Sequence, residues 1–420
     1  MNITVHKFGG ASIKDANAIK NVADIIKNFP EQFGIVVISA MGKMTNALED
    51  LTKAYFFRTE APTTHLDAIK KYHSDIIQQL FPHSAAIDSL LTPYWLFLEN
   101  QIQQPVQYSF NQIYDQMVSV GELISSTIVS EYLSYQNIEN TWLDIRNVLI
   151  SDTNWRNANI KWEESSEKFN RIVSPKIHSQ FIITQGFIAS TAHQFTTTLG
   201  REGSDYTAAI LANLSDAKEL IIWKDVPGIL NGDPRYFKNS QKIDELSYYD
   251  AVEMTYYGAT VIHPKTIKPL QNKNIPLKVK SFINPKDTGT VIYETPHTQK
   301  ITTYSYLPKQ ILISIYSLDY AFFTEEHIQK VFQIINEFSI KIHLMQNTAL
   351  NFSICIDNDE LQIPAFIQEV QKHFKVLYNT NVALMTIRNY VPSIATSIIQ
   401  GKKIFLEQRT RNNLQVVIEE

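Results

Sequence analysis

The chain holds a single cysteine, Cys355, in 420 residues, so neither an internal disulfide nor a cysteine-built zinc site can form. Its 11 histidines show no HxxxH or HExxH spacing, and a dedicated zinc centre is not expected. Long apolar runs are also missing: no window reaches the ~18 residues of a membrane helix, and MNITVHKFGG lacks the basic start and apolar core of a secretory signal. The expectation is a cytoplasmic chain without a membrane partner. Positive excess is lacking too, since 38 Lys plus Arg stand against 42 Asp plus Glu, a net charge of −4 that excludes a broad nucleic-acid footprint. Glycine is scarce, 13 in all and about half the usual ~7%, and 12 of these precede residue 290. A glycine kept in such a chain marks a backbone position that needs it.

What is present is ordinary globular material, 44% hydrophobic and 19% charged, long enough for two or three domains. Short apolar runs at 3–8, 34–38, 142–145, 181–184, 220–223 and 277–282 lack strict alternation, which suits strands buried on both faces. Helical spacing recurs between them at 15–28, 64–80, 111–133 and 204–213. The expected fold is α/β, an open, mostly parallel sheet with helices on both faces. The polar, glycine-bearing sequences KFGGAS, SAMGKMTN, TQGFIAS and WKDVPGILNGDPR follow strand ends, where open α/β sheets bind ligands. After Asn284 the texture changes, and a boundary is expected near residue 297. The remainder reads as two small α+β modules, with strands at 310–316, 340–346, 350–356, 382–388, 403–408 and 414–418.

Four segments carry candidate chemistry. In Lys7-Phe8-Gly9-Gly10-Ala11-Ser12, paired glycines bring backbone amides close to an anion and Lys7 adds a point charge; alone, the hexapeptide is equally an ordinary strand-to-helix turn. Neither GxxxxGK[ST] nor a strand-linked GxGxxG occurs, so any phosphate site is of another design. In Thr196–Ala209, hydroxyls, Gly200, Arg201 and Gly203 lead into a helix opening with Ser204 and Asp205. That combines a carboxylate clamp with anion-binding amides, while a plain N-cap at Ser204 accounts for only part of it. The loop Lys224–Arg235 can wrap a nucleotide, and Ser119-Val120-Gly121-Glu122-Leu123 places a glutamate beside an apolar helical face.

Together, KFGGAS, VISAMGKMTN, SVGEL, TQGFIAS, TTTLGREGSDYTAA, KDVPGILNGDPR and GATVIHPKTIKPL, in this order over residues 3–295, resemble the aspartate kinases of the amino acid kinase family. The resemblance implies a three-layer α/β/α kinase domain at 1–296, a linker at 297–307, and ACT-like, ferredoxin-like modules at 308–380 and 381–420. It implies phosphorylation of the L-aspartate β-carboxylate by ATP with Mg²⁺ carried on the nucleotide, a homodimer, and a possible amino-acid effector at the ACT-like modules. Carried over, catalysis falls on Lys7, Gly9, Gly10 and Asp205. Aspartate binding falls on Ser39, Thr45, Glu122, Phe187, Arg201 and Ser204; ATP binding falls on Lys7, Gly10, Ser12, Lys224, Asp225, Ile229, Asp233 and Arg235.

The chain departs from the family pattern in places. Arg-Gly-Gly-Ser-Asp reads Arg201-Glu202-Gly203-Ser204-Asp205, which sets an extra carboxylate beside the clamp and requires it to point away. Gly-Ala-Lys-Val reads Gly258-Ala259-Thr260-Val261, removing a nucleotide lysine for which Lys265 is a conceivable substitute. Lysine-inhibited relatives read roughly Val-Asp-Leu-Ile and then Thr-Ser-Glu, where this chain has Ile342-His343-Leu344-Met345 and Asn347-Thr348-Ala349. Weak or absent lysine inhibition is therefore expected. Competing expectations are another amino acid kinase, acting on glutamate or uridylate, or a non-catalytic sensor on the same scaffold. No second glycine-rich nucleotide motif suggests a fused homoserine dehydrogenase.

Overall fold

The apolar runs at 3–8, 34–38, 181–184 and 220–223 become strands buried on both faces, as near-continuous Val, Ile and Phe require, whereas strand 140–143 is half-buried and strand 277–281 alternates buried with half-buried residues. The computed structural model describes residues 3–28, 34–258, 262–295, 301–319, 321–360 and 362–420, and Thr260 lies outside them. The chain packs into two compact units, Met1–Ile229 with Lys242–Val252 and Val261–Thr298, and Leu230–Gln241 with Glu253–Thr260 and Gln299–Glu420.

In the first unit the strands are β1 (Thr4–Phe8), β2 (Gly34–Ile38), β3 (Asn140–Leu143), β4 (Phe181–Gln185), β5 (Ile188–Ser190), β6 (Thr196–Thr198), β7 (Glu219–Lys224), β8 (Glu245–Ser247), β9 (Leu277–Ser281) and β10 (Thr290–Tyr293). Among the described residues the main sheet runs β3-β4-β2-β1-β7-β9-β10-β8. Its first six strands are parallel, while β10 turns antiparallel to β9 and pairs in parallel with β8. Strands β5 and β6 form a separate antiparallel ribbon. Register pairs Phe8 with Ile38 and with Trp223, and Ile38 with Gln185, so β4, β2, β1 and β7 end level with one another.

The helices are α1 (Ala16–Lys27), α2 (Met44–Phe57), α3 (Pro62–Leu80), α4 (Ala85–Gln103), α5 (Phe110–Val118), α6 (Val120–Tyr135), α7 (Trp162–Ile172), α8 (Gly203–Leu214), α9 (Tyr248–Tyr256) and α10 (Pro264–Gln271). Phe8, Val36, Ile38, Ile183 and Trp223 join α1 through α6 in one core. Strand alternation turns Val5, Lys7, Val37, Ile222 and Lys224 to the opposite face. That face is covered by α8, which packs on β1, β2 and β7 and against α10. The helix expected over 111–133 is two helices, because the Ser119 hydroxyl donates back to the Gln116 carbonyl at 2.9 Å and interrupts the ladder. Among the described residues no helix is long and apolar enough to cross a membrane.

The second unit carries β11 (Thr303–Tyr316), α11 (Glu325–Glu337), β12 (Ile342–Asn347), β13 (Asn351–Asp357), α12 (Ile363–Gln371), β14 (Lys375–Arg388), α13 (Pro392–Ile399), β15 (Ile404–Arg409) and β16 (Asn413–Glu419). They form an antiparallel sheet, β12-β13-β11-β14-β16-β15. Strands β11 and β14 exceed the expected runs at 310–316 and 382–388: β11 continues through a bulge, where Lys309 has φ +54° and the register shifts between Leu307 and Gln310. Segment 230–241 belongs to this unit. Tyr236 packs on Tyr306 with ring centres 4.4 Å apart, and Phe237 stacks on Tyr304 at 5.2 Å.

Candidate active site

Level strand ends send four loops off the same edge of the first unit's sheet, and backbone hydrogen bonds lace them together. Ser39 N donates to Phe8 O at 3.2 Å, Gly42 N to Gly10 O at 3.0 Å, and Gly186 N to Ile38 O at 2.8 Å. Two glycines are required by this closeness. A Cβ on Gly10 would stand 2.6 Å from Gly42 O, and one on Gly186 would stand 2.4 Å from Ser204 Cβ. Glycine therefore lets the β1 and β2 loops interlock and lets the first turn of α8 settle against the end of β4.

Lys7 sits near the end of β1 on the face covered by α8, with Nζ 2.6 Å from Oδ1 of the fully buried Asp205. Lys224, at the end of β7, places Nζ 3.8 Å from Oδ2 of the same carboxylate. Burial pushes the Asp205 carboxyl up, but the Lys7 and Lys224 ammonium groups outweigh it and hold the group below the usual carboxylate range. Two cations against one carboxylate leave a net positive charge beside the Gly9–Gly10 loop. A Cβ on Gly9 would stand 3.4 Å from Lys7 Nζ.

Glu122 opens α6 and is only 2% exposed. Its Oε1 accepts the Ala40 amide at 3.3 Å, while Oε2 is buried without a hydrogen-bond partner. Burial pushes its carboxyl up to about 8, with the Ala40 amide and the Lys7 charge offsetting part of the rise. An unpaired buried carboxyl oxygen is a receptor for a hydrogen-bond donor, and a cationic donor favours its ionised form.

The other sequence-predicted residues have these places. Ser39 follows β2, its carbonyl held by the Ser125 hydroxyl at 2.6 Å, and Thr45 lies in the first turn of α2. Phe187 adopts φ +69° and accepts the Leu199 amide at 2.8 Å, a strained non-glycine residue beside the α8 start. Arg201 is exposed in the turn ahead of α8, and Ser204 is buried in that helix's first turn. The N-cap is Glu202, with φ +55°, and not Ser204 as the plain capping alternative would have it; Glu202 is exposed. Ser12 is buried and its hydroxyl reaches Trp223 O at 3.4 Å. Asp225 is exposed, and Ile229 is buried with its amide on Thr290 Oγ1 at 2.8 Å. Asp233 and Arg235 belong to the second unit, where they pair with each other at 2.6 Å. Lys265 donates to Asn157 Oδ1, which lies beside Gly200 on the Arg201 turn. Among the described residues no group of three or more His, Cys, Asp or Glu side chains is placed to hold a metal.

Sequence reasoning missed Asp115, fully buried in α5, which accepts from Thr198 and from the Arg156 amide. Periodicity gave no signal, for Asp115 stands two positions from both Ile113 and Met117 and so lies off their apolar stripe, where a carboxylate reads as solvated.

Residues 2–281 match the amino acid kinase family. The lysine-sensitive aspartokinase 3 of Escherichia coli (strain K12) is 30% identical over 414 residues, covering 96% of this chain and 90% of that protein. A crystal structure of E. coli aspartokinase III in complex with aspartate and ADP, in its R-state, superposes with a TM-score of 0.83 at 28% identity over 99% of this chain and 96% of that one. Its T-state complex with lysine and aspartate superposes at 0.82 with the same identity and coverage. The chain belongs to the amino acid kinase family, among its aspartokinases.

Proposed function

We propose that this chain transfers the γ-phosphoryl group of MgATP to the β-carboxylate of L-aspartate, giving 4-phospho-L-aspartate and ADP. The observation that carries the substrate reading is Glu122, buried with Oε2 unpaired, an acceptor that fits an α-ammonium. A β-carboxylate with a pKa of about 4 is already ionised at neutral pH, so the nucleophile needs no general base. One carboxylate oxygen bonds to the γ-phosphorus while the bridging P–O bond breaks, and ADP leaves with that electron pair. Lys7 and the Gly9 and Gly10 amides stabilise charge on the transferring group, Asp205 holds Lys7 in place, and Arg201 binds the α-carboxylate. Ser39, Thr45, Phe187 and Ser204 line the substrate, and Gly10, Ser12, Lys224, Asp225 and Ile229 serve the nucleotide. The metal ion travels with the nucleotide as part of the substrate.

In this reading the first unit is catalytic, and the second unit holds the ACT-like modules of a cytoplasmic homodimer that can take an amino-acid effector; β11 begins at Thr303, inside the expected linker 297–307, and β14 runs across the expected boundary at 380/381. The product is an acyl phosphate feeding lysine, threonine, methionine and diaminopimelate synthesis. The E. coli relative is lysine-sensitive and crystallises with lysine; here His343 and Ala349 occupy the positions where the resemblance expects acidic residues, and lysine inhibition is weak or absent.

The test is aspartate-dependent ADP release from MgATP, with the acyl phosphate trapped by hydroxylamine, against L-glutamate and no-acceptor controls. Lys7→Ala should lower kcat by about 10²–10³-fold with little change in aspartate KM. Arg201→Ala should mainly raise that KM. The reverse pattern overturns the roles. No turnover, with aspartate still raising the melting temperature, favours the sensor reading.

A further inference from the structure

Arg201 is exposed in a turn whose own backbone bonds are two, Leu199 N to Phe187 O at 2.8 Å and Gly203 N to Gly200 O at 3.0 Å. The strand leading in, β6, is three residues long and pairs with the equally short β5, and its first residue, Thr196, is tied to Gln116 of α5. Gly200 at φ +81° and Glu202 at φ +55° flank Arg201, both in the left-handed region. Yet an arginine that binds a carboxylate must be held to within about 0.5 Å to be useful. The anchor has to come from elsewhere.

We infer that Asp115 is a positioning residue for substrate binding, fixing through Thr198 the turn that carries Arg201; this rests on the substrate reading proposed above. Asp115 Oδ2 accepts the Thr198 amide at 3.0 Å and Oδ1 accepts the Thr198 hydroxyl at 2.6 Å. The Arg156 amide donates to the same carboxylate, at 3.0 Å to Oδ2 and 3.2 Å to Oδ1. Thr198 O in turn accepts Ala158 N at 2.9 Å, so the 156–158 turn and the end of β6 are tied into one block. Asn157 of that turn lies against Gly200: a Cβ there would stand 2.8 Å from its Oδ1, and Lys265 donates to the same oxygen. The block thus reaches the residue immediately before Arg201.

The other end of the linkage is equally informative. Asp115 stands on α5, whose last residue is one position from the hydroxyl-broken joint at Ser119, and Glu122 opens α6 just beyond it. One side chain therefore connects the helix pair holding Glu122 to the turn holding Arg201. An α-amino acid presents its ammonium and carboxylate on one carbon, at a fixed spacing, and the two receptors must keep that spacing. The carboxylate form of Asp115 is required, because four of its contacts come from donors. Burial pushes this carboxyl up to about 6, with the Thr198 and Arg156 bonds offsetting part of the rise, so assays belong near pH 8.

The experiment uses the full chain. Thr198→Val removes the hydroxyl donor while keeping shape and backbone amide; Thr198→Ser keeps the donor. Thr198→Val should raise aspartate KM about tenfold, leaving ATP KM within about twofold, and Thr198→Ser should restore the wild-type value. In an Arg201→Ala background, Thr198→Val should add less than about twofold, because the residue it positions is gone. A Thr198→Val enzyme with unchanged aspartate KM overturns the inference. So does a parallel rise of both KM values with a lowered melting temperature, or a full tenfold effect on top of Arg201→Ala. Should Asp115→Asn fail to fold, the threonine pair still decides. Absence of aspartate-dependent hydroxamate in the wild-type chain is a different failure, that of the proposed function itself.

Discussion

Glu122 is where electrostatics and recognition meet most directly. A free glutamate titrates near 4.5, whereas burial carries this one to about 8. Between those values the folded chain holds a proton that the unfolded chain releases, so this group's contribution to stability falls as pH rises through that window. In the proposed function substrate would reverse the balance, since an ammonium at Oε2 favours the ionised form. Aspartate KM should therefore fall by up to about tenfold per unit from pH 6.5 to 8 and level off above it, with Glu122→Gln flattening the profile. A wild-type profile flat over that range would remove Glu122 from the ammonium role. Asp205 behaves in the opposite sense: Lys7 and Lys224 hold its pKa down, so its stabilisation is present above the ordinary carboxylate range and is lost as pH falls through the lowered value. Glu202 is a smaller matter of backbone. At φ +55° a glutamate is strained by about 1 kcal/mol relative to glycine, for the reason that a Cβ crowds the following carbonyl.

The start of α8 against the end of β4 is the tightest junction at the scale of elements. Because a Cβ on Gly186 would meet Ser204 Cβ at 2.4 Å, Gly186→Ala should displace the first turn of α8, carry Asp205 off Lys7, and cost about 1–3 kcal/mol of stability together with most of kcat. Calorimetry and the hydroxamate assay read both; an enzyme with wild-type values would show the junction is looser than this packing. Much of this was legible in the sequence. Parallel strands buried on both faces announce themselves as unbroken apolar runs, and in a glycine-poor chain the retained glycines point to close approaches, as Gly10 and Gly186 bear out. Other features depend on single side chains that periodicity does not see. The break at Ser119 is one hydroxyl turned back on its own helix, and α4 runs through Pro93 because an apolar face overrides a poor propensity. Helix α8 starts from Glu202, for which Ser204 was the obvious cap by composition. Asp115 escaped notice because its partners, Thr198 and Arg156, are 83 and 41 positions away.

The chain as a whole is expected to couple weakly, if at all, to lysine. An effector ammonium needs a carboxylate with spare acceptor capacity. In β12 the position that lysine-inhibited relatives fill with an acid is His343, whose Nε2 lies 3.0 Å from Asp357 Oδ2, and the second acidic position is Ala349. Asp357 is already engaged: His343 holds its carboxyl down to about 2, and Gln310 Nε2 donates to it at 2.8 Å. A lysine arriving here would have to displace the imidazole from Asp357. Millimolar lysine should therefore change the rate of hydroxamate formation by less than about twofold, and isothermal titration should show no lysine heat. His343→Asp with Ala349→Glu restores two unpaired carboxylates and should create lysine binding by titration. Because coupling is reciprocal in binding free energy, any inhibition gained by that double variant must appear equally as weaker lysine binding when the substrate whose affinity lysine lowers is saturating. Strong inhibition of the unaltered chain by millimolar lysine would instead mean that another carboxylate receives the ligand, and the pair His343–Asp357 would no longer account for its regulation.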